Sequence, residues 1–433
     1  MTQLVSQLTV RFPFLSKWTK LIGLTGGGQI VVQGSGFLCG ILIVRLLTQE
    51  QYAYYTLVNA MLGTMVVLAD GGISTGVNAI GGEVWRDRHK LGQAVMTGLR
   101  MRRQFAVYSL LVSVPALFYL LSRQGVSVGW SLLLIASLIP TFWFSLSGSL
   151  YQIVPRLHQE IKELLRIPLE SNGIRLAFTG LALAIFPLAA LALLGTGVGQ
   201  AYTNHKLLKL SGKYLDLEAG ESEEYRRRIY RVVWRVLPGS IYYCLSSQIT
   251  VWLISIFGGT TGIAEIGALG RLMALLVVVK SVIDTLIVPR FTRMPGNDRN
   301  RLTVRFFQVV GLVLLLALLI VGLVYLFPDL MLFVLGSKYA DLQYELLLMA
   351  AGTCLVMVSE TAGKMAVNRA IIPGPIYFIP FMIISQLLIL LYLVDYRTVQ
   401  GVLYFSIYSA LSMIVFRSFH FLYHQYLRTG TTA

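Results

Sequence analysis

Twelve apolar runs of membrane-spanning length, separated by short polar segments, leave this chain few ways to fold. They fall at about 22–44, 53–80, 105–122, 129–153, 169–187, 188–205, 237–257, 264–289, 305–327, 343–369, 374–395 and 398–423. A helix needs about 20 apolar residues to cross the hydrocarbon layer, and in lipid its backbone amides must be satisfied within the segment. The expected fold is therefore an all-α polytopic membrane protein with about twelve transmembrane helices. The fifth and sixth runs are the least sharply bounded. Only Phe186-Pro187 separates them, and Glu170, Asn172 and Arg175 weaken the start of the fifth. Of the 433 residues only 13% are charged, about half the fraction of a soluble domain.

Lysine and arginine test the count independently, because cytoplasmic segments accumulate them. With the N-terminus inside, thirty of the 36 fall on inner segments and four, Arg45, Arg123, Lys338 and Arg397, on outer ones. Arg271 and Lys280 lie within a span. The expectation is a multi-pass protein of the cytoplasmic membrane with both termini in the cytoplasm. The net charge of +16 then records topology and contact with anionic membrane lipids, not nucleic acid. No cleavable signal is expected, since Arg11, Lys17 and Lys20 precede a run without a small-residue cleavage site. Cys39, Cys244 and Cys354 all sit in apolar runs, which argues against a disulfide framework.

The largest inner segment divides the chain into residues 1–205, a cytoplasmic linker 206–236, and residues 237–433, with six spans on each side. Such halves can be parallel repeats. The stretches beginning at Arg45 and Ser255 share an apolar end, a short polar outer loop and a re-entering helix. In the linker, Ser222 is expected to cap a surface helix that ends at Pro238, with i,i+4 pairs Glu223–Arg227 and Glu224–Arg228. Leu91–Phe105 and His158–Arg166 read as amphipathic elbows lying on the inner leaflet.

Glu265–Arg290 is the span that does not fit lipid. It carries Arg271, Lys280 and Asp284, and a charge at the centre of a lipid-facing helix costs about 2.5 kcal/mol or more. Lys280 and Asp284 are four apart near the inner end and can pair or snorkel, as can Glu360 and Lys364 in the tenth span. Arg271 is deeper, so it should face a hydrated interior. In the first span Gln29, Gln33, Gly36 and Gly40 share one face. The second span repeats the spacing with Asn59, Gly63 and Asp70 before Gly71-Gly72 interrupts it. Glycines on such faces serve helix packing. Gln29, Gln33, Asn59 and Arg271 together suggest a shared hydrated cavity. Glu360, Asp284 and Asp70 read as structural ion-pair members, with proton coupling as the alternative. No cofactor or metal is expected: His420 and His424 have no nearby carboxylate in sequence, and the Gly26 cluster lacks the lysine of a nucleotide loop. Short outer loops leave no room for a catalytic domain, so the chain reads as a non-enzyme.

The region Ile43–Asp70, with RLLTQEQY and a helix ending near Asp-Gly, resembles the N-terminal signature of the polysaccharide-biosynthesis flippases of the O-antigen type. GALGRLMALLVVVKSVIDTLIVPRF resembles their eighth helix, closing on Pro289-Arg290. The chain departs from the pattern at Ala53 and near Gly267. The resemblance implies the multidrug/oligosaccharidyl-lipid/polysaccharide exporter fold, two pseudo-symmetric six-helix bundles around a V-shaped central cavity lined by the first, second, seventh and eighth helices. It implies alternating-access export of an undecaprenyl-diphosphate-linked oligosaccharide, with glycosyltransferases and a polysaccharide polymerase as working partners. Arg271 matches a cavity arginine of related peptidoglycan-precursor flippases. Arg45, at the outer rim, reads as a headgroup contact or an interface anchor. A cation-coupled multidrug exporter of the same superfamily is the alternative, and a membrane glycosyltransferase or polymerase the alternative from another class.

Overall fold

A computed structural model describes residues 13–294, 299–369 and 371–426. Arg11, in the expected inner N-terminal segment, lies outside the described residues. All regular elements among the described residues are helical. Twelve long segments follow one another: α1 (Pro13–Leu46), α2 (Gln49–Asp70), α3 (Arg88–Arg123), α4 (Val128–Tyr151), α5 (Ile161–Ile185), α6 (Ala189–Ser211), α7 (Glu223–Ser247 and Ile249–Phe257), α8 (Thr260–Met273 and Leu276–Leu286), α9 (Arg299–Leu326), α10 (Gln343–Val367), α11 (Pro375–Tyr392) and α12 (Val399–Tyr426). Eight are long and apolar enough to cross a membrane unaided, and the bent α7 and α8 bring the number to ten. α5 and α6 fall outside that set. Lys162, Glu163, Arg166, Glu170 and Arg175 all lie on α5, where the sequence had already weakened the fifth run.

Three expected boundaries move. The second run is not one helix to residue 80: Gly71 and Gly72 adopt φ of 51° and 97°, conformations that favour glycine, and Ile73–Val84 restarts as a separate helix. Pro238 lies inside α7 and does not end it; a proline forfeits one backbone bond and can be carried within a helix. The break comes at Gln248, with a bend of 54°. The two elbows are not separate surface helices either. Leu91–Phe105 is the first part of α3, and Ile161–Arg166 opens α5.

The predicted cap at Ser222 forms, accepting from Tyr225 N, and Arg227 pairs with Glu223 at 3.5 Å. Arg228 instead reaches Glu83 with both bonds at 2.7 Å. Glu83 lies on the helix that α7 packs against, where Ile229 meets Gly76, so the tertiary partner displaces the i,i+4 neighbour Glu224.

The core explains the overall shape. At the outer end, Ile43, Tyr55 and Leu138 of the first bundle share one buried cluster with Ile254, Leu269 and Phe405 of the second. Toward the inner, basic end this cluster divides. Val77, Val95 and Ile229 belong to one core, while Phe306, Phe421, Ile283 and Met357 belong to others confined to the second bundle. α7 therefore stays packed against the first bundle along its length, with Ile229 in its core and Leu237 beside Gly71, while α8, α9, α10 and α12 have cores of their own at this end.

Hydrogen bonds close the outer end. Arg45 donates to the carbonyls of Phe333 and Val334 at 2.7 and 2.9 Å, and Lys338 donates back to the carbonyls of Arg45 and Leu47. Arg45 thereby caps the C-terminal carbonyls of the short helix Pro328–Leu335, and Lys338, just beyond it, caps the end of α1. Gln124 at the end of α3 bonds Ser255 O at 2.8 Å and accepts from Thr260 Oγ1 at 2.9 Å. α2 and α8 cross most tightly where Gly267 meets Thr56; a Cβ there would lie 2.3 Å from Thr56 Oγ1. Gly267→Val should therefore destabilise this closed form by about 1–3 kcal/mol through overpacking. Disulfide yield between Gln124→Cys and Thr260→Cys should fall, and Thr56→Ala should restore it. Unchanged yield would show that the seal does not depend on this crossing.

Candidate functional site

The break in α8 at Ala274–Leu275, with a bend of 42°, lies one turn beyond Arg271. The side chain of Arg271 projects between the bundles. Its Cζ is 5.8 Å from the centre of the Tyr55 ring, its Nη2 is 3.5 Å from the Tyr55 hydroxyl, and its stem lies along α1 at Gly40. A Cβ on Gly40 would come within 3.2 Å of Arg271 Cδ, so this glycine makes room for the arginine. Below Arg271 is a cavity of about 150 Å³ lined by Gln33, Gly36, Phe37, Ala274 and Val278. Further inward, Ile30 and Val31 on α1 and Val277 and Val282 on α8 are about half exposed.

Of the residues expected to share a cavity, Arg271 and Gln33 do so. Gln29 is exposed one turn further in on the same face of α1. Asn59 is half-buried one turn beyond Tyr55 on α2 and is not part of this cavity. Arg45 is elsewhere: its Nε and Nη2 donate to the carbonyls of Val334 and Phe333, and the side chain is exposed at the outer end of α1, away from Gln29.

Arg175 was not among the expected site residues. Read as belonging to an inner segment, it lies well inside α5 because that helix begins at Ile161. At about 1.5 Å per residue it is roughly 15 Å from the outer end of α5, much as Arg271 is from the outer end of α8. Its Nη2 is 3.2 Å from the Tyr55 hydroxyl, and its Nε is buried without a partner. The length of the amphipathic lead-in to the fifth run was the available signal. Two guanidinium groups, one from each bundle, thus converge on one buried phenol, and among the described residues neither forms an ion pair with a carboxylate. A phenol can accept from both but cannot, as a neutral group, balance their charge. An anion with several oxygens can.

The expected carboxylates are placed elsewhere. Asp70 accepts from Ser74 N and Oγ, capping the helix after Gly72, and pairs with the buried Arg102 at 2.7 Å. The other four charges do not pair within their own helices. Lys280 pairs with Glu360 and Lys364 with Asp284, both between α8 and α10. The two helices face each other at this level, so cross-pairing neutralises each charge and ties the helices together. Reversing one charge, in Lys280→Glu or Glu360→Lys, should lower stability by about 1–3 kcal/mol, since both groups are partly exposed. The double exchange should recover most of the loss in a thermal unfolding assay. Additive losses would contradict the cross-pairing.

No family model and no curated protein sequence matches the chain. Solved structures do. An inward-facing multidrug resistance MATE family transporter of the MOP superfamily aligns with TM-score 0.63 at 14% identity, covering 92% of this chain and 96% of that one. Lipid II flippase MurJ in an inward closed conformation aligns with TM-score 0.71 at 11% identity, covering 93% and 87%. A eukaryotic MATE transporter, AtDTX14, gives TM-score 0.62 at 14% identity, covering 93% and 94%. The chain has the fold of MOP-superfamily transporters. Two pseudo-symmetric helical bundles in a multi-pass membrane protein are the architecture expected from the resemblance.

Proposed function

We propose that the chain is a flippase that moves an undecaprenyl-diphosphate-linked oligosaccharide across the cytoplasmic membrane by alternating access, for surface polysaccharide synthesis. One observation carries this reading: Arg175 and Arg271 converge between the bundles, and among the described residues neither pairs with a carboxylate. Guanidinium groups match phosphate oxygens in charge and geometry. A pyrophosphate bridging them would supply the missing charge and link the two bundles. Gln33 and the more inward Gln29 offer amide groups to sugar hydroxyls, and the exposed apolar side chains of α1 and α8, Ile30, Val31, Val277 and Val282, offer a surface to the lipid tail. With both termini cytoplasmic, glycosyltransferases would supply the substrate on the inner face and a polymerase would consume it outside.

The multidrug-exporter alternative is favoured by the MATE likeness. It is disfavoured for cationic drugs by the two arginines, and Asp284 and Glu360 are already engaged by lysines. Arg271→Ala tests the choice. Surface glycan should be lost while membrane level and efflux of cationic dyes are unaffected. A variant that exports glycan normally but loses dye efflux would favour the drug exporter.

A further inference from the structure

The second bundle contains another cavity, of about 440 Å³, at its inner end and away from Arg271. Lys280, Glu360, Lys364 and Arg417 face it, with Val367 and Ile372 at its rim. Its charges do not balance. Lys280 and Lys364 are matched by Glu360 and Asp284, which leaves Arg417 without an ion pair among the described residues. One of its N–H groups is donated to Ser359 O. The guanidinium lies against Gly363, where a Cβ would come within 2.7 Å of Cζ, so the glycine holds this space open. Glu360 and Arg417 lie seven and nine residues before the ends of α10 and α12, roughly 10–14 Å along their helices. An excess positive charge at that depth calls for an anion.

The rim indicates where that anion comes from. Val367, Ile372 and the neighbouring Ile376 are 49%, 61% and 75% exposed. A soluble anion gains nothing from such a border, whereas acyl chains are buried against it. We propose that this cavity binds the phosphate headgroup of an anionic phospholipid of the inner leaflet, with Arg417 and Lys364 holding the phosphate and the chains lying over Ile372 and Ile376. The site is independent of the Arg175–Arg271 pair.

Full-length protein in detergent, titrated with phosphatidylglycerol, phosphatidylcholine or inorganic phosphate and followed by native mass spectrometry and thermal unfolding, tests this. Phosphatidylglycerol should bind and raise the melting temperature, and Arg417→Gln should weaken its binding about tenfold. Val367→Trp should weaken it too by obstructing the rim with every charge retained, which decides the matter if Arg417→Gln does not fold. Arg271→Ala should leave it unchanged. Inorganic phosphate acting as well as the lipid would support the phosphate site but assign it to a soluble ligand. Equal binding by wild type and both cavity variants, or equal binding of phosphatidylcholine and phosphatidylglycerol, would overturn the proposal.

Discussion

Replacing Arg271 by alanine is expected to abolish export without unfolding the protein. Truncating one member of a buried charge pair costs about 2–5 kcal/mol, on the order of 30-fold or more in substrate binding. Arg271→Lys should fall between wild type and alanine, because an ammonium keeps the charge but loses the planar fork. Arg175→Ala should show a similar defect, as it removes the contribution of the other bundle. Stability separates this from a packing defect. Without substrate, Arg271 carries a charge that no carboxylate among the described residues pairs with, so its removal should leave the melting temperature unchanged or raised. Loss of export together with a large fall in melting temperature would make Arg271 a structural residue.

Asp70→Ala should do the reverse, with a large loss of stability. Arg102 is 3% exposed and holds Asp70 at 2.7 Å and the Leu146 carbonyl at 2.7 Å. Removing the carboxylate leaves a buried cation unpaired, which costs about 3–5 kcal/mol. Asp70→Ala with Arg102→Met removes both charges and should recover much of that loss. It should also export substrate, because neither side chain faces the central cavity. A stable double variant without transport would instead give Asp70 a part in coupling.

The spans were legible in the sequence because an apolar run is a local property, and the lysine and arginine distribution fixed their expected order across the membrane. What was not legible depends on partners far away in the chain. Arg102 falls within Leu91–Phe105, the stretch expected to be a surface elbow, yet Asp70 and the Leu146 carbonyl allow it to be buried within a continuous α3. Arg228 exchanges Glu224 for Glu83, and Lys280 and Lys364 exchange their neighbours on the same helix for carboxylates on the facing one. Intrahelical spacing shows which pairs are possible and says nothing of what the adjoining helix offers. Arg271 was identifiable by depth alone. Arg175 was not, since its depth depends on where α5 begins.

Direct binding of undecaprenyl diphosphate and of uncharged undecaprenol to the purified full-length protein is the most direct measurement. The diphosphate should bind far more tightly, weaken as salt is raised, and lose its advantage in Arg271→Ala and Arg175→Ala. Equal affinity for the two lipids, or a preference for the diphosphate that survives both substitutions, would contradict an anion site between the bundles.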